Sequence, residues 1–280
     1  MDKTKLDNQI KKYREYLIVD MGLAPVTVGG YCRSLSIALR RMRKFCPQAE
    51  DIRQFVLWMH EKKFSYSHIV NTSRAVEHYA QSKGMNVRLG RPRKPRQIIQ
   101  NTLSEAEISR LIQATKNTRE KAIICLLAYS GVRNSELCNI RRKDVDLGAN
   151  QLKIIGGKNR KDRVVNISAE CTRVLIEYFG SFGRQPDDFL FVTLEKQNQL
   201  STSDLRKMVR VLARRAKLGK RVFPHLFRHS LATNLLNRGA SLIMIKDQLG
   251  HAFIDTTMIY VTSMPFRARS EYDFYKPAYM

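Results

Sequence analysis

The stretch QLKIIGGKNRKDRVVNIS, residues 151 to 168, interrupts a chain that otherwise reads as helices. Two short β-branched runs, around Ile154 and Val164, flank a polar loop holding Lys158, Arg160 and Lys161. The apolar period drops here from that of a helix to that of a strand, and the pattern predicts a hairpin. The expected fold class is therefore mainly α with a small antiparallel β-sheet.

Upstream of the hairpin, TLSEAEISRLIQAT carries Ser104 as an N-cap and Glu107 three residues on, a capping box. REKAIICLLAYSG follows, apolar nearly all round, so this helix must be central. Residues 3 to about 86 read as four helices, ending near Leu17, spanning Val26 to Arg43, Ile52 to Glu61 and Tyr66 to Ser82. Between these regions lies RLGRPRKPRQIIQN, residues 88 to 101, with two prolines, one glycine and five Arg or Lys. That composition predicts a linker. Two domains follow, a helical one over residues 1–87 and a mixed one over 103–280, joined by a basic segment at 88–102. Arg91, Arg93, Lys94 and Arg96 are then candidates to run along a phosphate backbone.

Downstream, PHLFRHSLATNLLNRG, residues 224 to 239, starts on a proline and ends on a glycine, as a helix should. Phe227, Leu231 and Leu235 recur at i, i+4, i+8 and predict its buried face. His225 and Arg228, three apart, are neighbours beside that stripe. Such a pair can hold a phosphate or carboxylate, or it can be a solvated basic edge. A metal is a third reading, since His225 and His229 are i, i+4; but Arg228 sits between them and no third ligand follows.

The chain has 50 Lys and Arg against 25 Asp and Glu, a net charge of +25, and the first hundred residues alone hold 20 basic and 8 acidic side chains. Self-repulsion on that scale is relieved when a polyanion binds and its counterions are released, so nucleic acid is the expected partner of both halves. A ribosomal or purely architectural protein fits the same charge. Five cysteines, Cys32, Cys46, Cys125, Cys138 and Cys171, are widely spaced without a C-x-x-C pair, which argues against a disulfide framework or a zinc knuckle. The N-terminus is polar and amphipathic rather than a signal peptide, and no run of about eighteen apolar residues occurs. A cytoplasmic protein with no membrane partner is expected.

Four further residues stand at the ends of elements: Arg133 in SGVRNSEL, Lys158 in GGKNRKDR, His251 in QLGH and Tyr260 in TTMIY. Singly, each has a plain structural explanation, such as an ion pair of Arg133 with Glu136 one turn on. Together with H-x-x-R they keep a definite order, GVRNSEL, GGKNRKDR, HLFRHS, LGH and a tyrosine nine residues later. In this the sequence resembles the tyrosine recombinases, the phage-integrase family, and REYLIVDMGLAPVTVGGYCRSL resembles that family's core-binding helices. The likeness is to the compact Xer type and to transposon and plasmid resolvases. Small departures touch no catalytic position: Asn166 replaces a proline common after the hairpin, Phe227 a leucine, and Asn234 a frequent histidine.

The resemblance implies a catalytic set of Arg133, Lys158, His225, Arg228, His251 and Tyr260, with Glu136 orienting Arg133 or His225. Arg160 and Lys161 would touch DNA beside Lys158, while His229 would be structural. It implies a clamp of two domains around double-stranded DNA, a homotetramer on two sites, a 3′-phosphotyrosine intermediate, and no metal or cofactor. A type IB topoisomerase-like enzyme, a DNA-binding protein without catalysis and a metal-dependent nuclease remain alternatives. The last 20 residues, VTSMPFRARSEYDFYKPAYM, are rich in aromatics, and the family resemblance implies docking on a neighbouring protomer.

Overall fold

Asp2 opens the first helix by accepting hydrogen bonds from the N–H groups of Thr4 and Lys5. This helix, α1 (Lys3–Val19), is followed by α2 (Pro25–Met42), α3 (Ala49–Glu61) and α4 (Tyr66–Gln81), and each starts on a recognisable signal. Pro25 occupies the first turn of α2, Gln48 and Asp51 form a capping box on α3, and Ser65 caps α4. The computed structural model describes residues 2–93, 102–156, 162–183, 185–193, 198–250 and Thr257. These fall into two units, one within Met1–Arg96 and one within Gln97–Met280.

The first unit is closed by Leu6, Tyr13 and Leu17 of α1 packing with Leu35 and Leu39 of α2, Ile52 and Met59 of α3, and Val76 and Tyr79 of α4. At its centre Tyr13 and Tyr79 meet edge to face, ring centroids 5.6 Å apart. The Tyr13 hydroxyl donates to the Ala75 carbonyl at 2.8 Å, and that of Tyr79 donates to Phe45 O at 2.6 Å. Val87 is buried on this unit, the Leu89 N–H donates to Glu77, and Arg91 pairs with the same carboxylate. The chain from Val87 to Arg91 thus lies along α4, because Glu77 offers both of its oxygens to it.

The second unit is built round α6 (Thr118–Ser130), whose Ile123, Ile124, Leu126 and Leu127 are wholly buried. Against it pack α5 (Glu105–Gln113), α8 (Ala169–Phe182) and α10 (Pro224–Asn237). The short α7 (Asn134–Asn139), a 3-10 turn at Arg142–Asp144, α9 (Thr202–Arg215) and α11 (Leu242–Leu249) belong to the same unit. The expected capping box is present on α5, with Ser104 and Glu107 exchanging backbone hydrogen bonds. A three-stranded antiparallel sheet, β1 (Val145–Asp146), β2 (Gln151–Ile154) and β3 (Arg163–Asn166), pairs Leu152 with Val165 and Ile154 with Arg163. Leu152, Ile154 and Val165 point into the core, while Val164 is exposed. The protein is therefore mainly helical with one small sheet.

The sheet has one strand beyond the expected hairpin, β1, which at two residues is too short to leave a period in the sequence, and one expectation is corrected. The buried face of α10 is wider than the predicted stripe: Leu226, Phe227, Ser230, Ala232 and Leu236 are buried, whereas Leu231 and Leu235 are only partly covered. The reason is that α10 is packed on several sides, by α6, α9 and α11.

Replacing Tyr13 by Phe keeps the ring and loses one buried hydrogen bond. The expected result is a loss of about 1 kcal/mol from the first unit, read as a lower urea midpoint for that unit at unchanged slope.

Candidate active site

Two helices end at the same place on glycines in the left-handed conformation. Gly131 (φ +66°) closes α6 and Gly250 (φ +65°) closes α11, and at both a Cβ would collide with a neighbour: one on Gly131 would lie 2.7 Å from Leu249 Cδ2, and one on Gly250 would meet the stem of Arg163. The last carbonyls of a helix have no partner within it and carry the negative end of the helix dipole. Here they face arginines. Arg228, in the middle of α10 and only 2% exposed, donates from Nη1 to Gly131 O at 2.6 Å and from Nη2 to Leu249 O at 2.7 Å. Arg133 donates from Nη2 to Gly250 O at 3.2 Å.

Arg133 occupies the N-cap of α7, a position that favours Ser, Thr, Asp or Asn, and a cation there opposes the helix dipole. Glu136, one turn on, offsets both defects. Its Oε2 accepts the Arg133 backbone N–H at 2.8 Å and its Oε1 accepts Arg133 Nη1 at 2.6 Å. The same carboxylate receives Arg163 from β3, Nη1 to Oε1 at 2.9 Å and Nη2 to Oε2 at 2.7 Å. Burial by itself would raise the Glu136 pKa, but the hydrogen bonds from Arg163 and from the Arg133 backbone, with the two positive charges, prevail and bring it down to about 2. Two arginines against one carboxylate leave a net positive charge, and Arg228 adds to it.

His225, in the first turn of α10, keeps one edge exposed. Its pKa is lowered by desolvation and then by Arg228 and Arg133, so at neutral pH the ring is mainly uncharged and can accept a proton. His229 meets it edge to face at 4.7 Å, and burial, with His225 and Arg228, pushes its pKa down to about 4. No group of three metal-ligating side chains occurs among the described residues. No helix among them is long and apolar enough to cross a membrane.

The structure thus brings Arg133, Glu136, His225 and Arg228 together, although α7 and α10 are far apart in the chain. Arg91 lies on the first unit, paired with Glu77, and Arg93 is exposed there. Lys94, Arg96, Lys158, Arg160, Lys161, His251 and Tyr260, with the C-terminal aromatic segment, lie outside the described residues. Two features went unread in the sequence. One is Arg163, which looked like another charge of a basic hairpin. The other is an exposed row on α9, Arg206, Arg210 and Arg214, whose i, i+4, i+8 spacing was there to be seen.

Residues 101–265 match the model of the phage integrase family. The tyrosine recombinase XerA of Pyrococcus furiosus is 31% identical over 267 residues, which cover 92% of this chain and 91% of the relative. A crystal structure of XerA recombinase aligns with a TM-score of 0.58 at 30% identity, over 98% of this chain and 100% of the other. The Tn1549 transposon integrase, solved in complex with a circular intermediate DNA, shares the fold with a TM-score of 0.75 at 22% identity, over 95% and 99% of the two chains. The chain belongs to the phage integrase family and is a tyrosine recombinase of the Xer type, a class of enzymes that cleave and rejoin DNA strands.

The departure at Asn166 has a structural counterpart. Asn166 stands opposite Gln151 of β2, and its backbone N–H and C=O are taken up by the side chain of Gln248 on α11. Asn166 N donates to Gln248 Oε1 at 3.1 Å, and Gln248 Nε2 donates to Asn166 O at 2.8 Å and to Ser130 O at 3.3 Å. A proline at 166 has no N–H to give. Asn166→Pro is expected to leave the buried Gln248 oxygen unmatched and to cost about 1–3 kcal/mol, whereas Asn166→Ala, which keeps the N–H, changes stability little; thermal melts of the two variants make the comparison.

Proposed function

We propose that this chain is a site-specific DNA recombinase that breaks and reseals strands through a 3′-phosphotyrosine on Tyr260. The observation that carries the reading is the meeting of Arg133 and Arg228 at the end of α11, where Arg133 holds Gly250 O and Arg228 holds Leu249 O, with Arg228 also on the end of α6 and His225 beside them. Breaking a phosphodiester by transesterification needs a nucleophile, stabilisation of charge on the non-bridging oxygens, and a proton for the leaving oxygen. In this reading the Tyr260 oxygen attacks phosphorus, the bond to the 5′ oxygen breaks, and Lys158 supplies the proton to that oxygen. Arg133 and Arg228 grip the non-bridging oxygens with His251 as a further donor, and His225 assists the proton leaving Tyr260. The phosphotyrosine ester keeps the energy of the broken bond, so a 5′ hydroxyl reseals it with neither ATP nor metal.

Residues 1–87 act as the core-binding domain and 103–280 as the catalytic domain, a clamp on duplex DNA joined by the basic segment 88–102. The exposed row on α9 supports a DNA-facing side for the second unit, since three arginines on one face suit a phosphate backbone. Four protomers on two sites would exchange strands in pairs through a Holliday junction. The Xer-type relative that spans nearly the whole chain favours this over topoisomerase-like relaxation.

Tyr260→Phe should bind site DNA as the parent does and form no covalent adduct on a nicked suicide substrate; an adduct with the Phe variant would place the nucleophile elsewhere. Exchange between two sites, as against relaxation alone, separates a recombinase from a topoisomerase. Lys158→Ala should cleave ordinary DNA slowly and recover on DNA whose bridging 5′ oxygen is sulfur, because a thiolate leaves without a proton. If Lys161→Ala shows that pattern instead, the general acid is Lys161.

A further inference from the structure

Arg163 stands on β3 as the last residue of GGKNRKDR, and it is not one of the residues to which the resemblance gives a role. Its side chain is 13% exposed and fixed at both ends. The stem, at Cδ and Nε, fills the space that a Cβ on Gly250 would need, and the fork meets both oxygens of Glu136. Glu136 therefore divides its four hydrogen bonds between two arginines: Arg133, through its backbone N–H and Nη1, and Arg163, through Nη1 and Nη2. A buried carboxylate facing Arg133 alone would form a closed pair with it, neutralise it, and compete with an incoming phosphate for its fork. With Arg163 in place both carboxylate oxygens are already shared, the net charge stays positive, and Arg133 Nη2 remains directed at Gly250 O, beside Leu249 O, which holds Arg228.

We infer that Arg163 is a positioning residue of the phosphate pocket: it occupies Glu136, so that Arg133 is oriented by that carboxylate without being sequestered by it. The inference rests on the proposed reading of Arg133 as a phosphate-gripping group. It also gives the hairpin a role beyond its loop, because the strand leading out of that loop carries the group that sets the charge of the pocket.

The test is single-turnover cleavage of a nicked suicide substrate, with half-site binding measured in parallel. Arg163→Met keeps an unbranched stem against Gly250 and loses the fork. It is expected to bind the half-site normally and to cleave roughly 10- to 100-fold more slowly, and Arg163→Lys, which restores the charge, should regain part of the rate. In Arg163→Met/Glu136→Gln the neutral amide no longer competes for Arg133, so the combined loss should be smaller than the product of the single losses. If Arg163 only packs against Gly250, Arg163→Met will cleave like the parent; that result, or losses that simply multiply, overturns the inference. Should Arg163→Met fail to fold, Arg163→Lys decides alone, since an unchanged cleavage rate in a lysine variant excludes a need for the fork. Arg133→Ala run alongside separates the two levels: if it cleaves normally, the phosphate reading itself fails, whereas an inactive Arg133→Ala beside a fully active Arg163→Met removes only the role of Arg163.

Discussion

Glu136 keeps 8% of its surface accessible, and a carboxylate at that depth is tolerated because two guanidinium groups and a backbone N–H converge on it. Removing one partner from a buried charged network of this kind costs about 3–5 kcal/mol, far more than an exposed pair contributes. The start of α7 and the orientation of Arg133 depend on this one group, which also joins β3 to the helical core through Arg163. The network also explains how a strongly basic protein keeps cations inside it: each guanidinium finds a carboxylate oxygen, a helix-terminal carbonyl or both.

Local preference is overridden where the site is built. An arginine takes a cap position that a serine would fill more cheaply, another arginine lies in the interior of α10, and two helices stop on glycines whose backbone few other residues adopt. Most other helices follow the rules, with Asp2, Ser65, Ser104, Asn117, Ser168, Ser201 and Ser241 all capping by side-chain acceptance. At the site the departures also place charge where a helix end or carboxylate can hold it.

Much of this could be read from the sequence because it depends on nearest neighbours. The four helices of the first unit, the capping box at Ser104 and the hairpin each rest on spacing of a few residues, and so does the pair formed by Arg133 and Glu136. Depth could not be read in the same way. H-x-x-R places His225 and Arg228 on adjacent faces, but only the tertiary packing makes one half-exposed and the other enclosed by two helix ends. Gln248 looks like any polar helix residue until its amide is found acting as a strand edge for Asn166. Arg163 was hidden for a similar reason: a charge next to Lys161 and Asp162 looks like loop solvation, and its partner Glu136 belongs to a distant element.

The close approach of Gly250 to Arg163 also bears on how such a chain can vary. The missing side chain of one residue is the space occupied by the other, so a single volume is shared between a helix end and a strand. A larger residue at 250 can be accommodated only if position 163 shortens or turns away, and a shorter residue at 163 opens a void over the glycine. A substitution at either position is therefore felt at the other, a second tie between the sheet and the end of α11 beside that of Gln248 with Asn166.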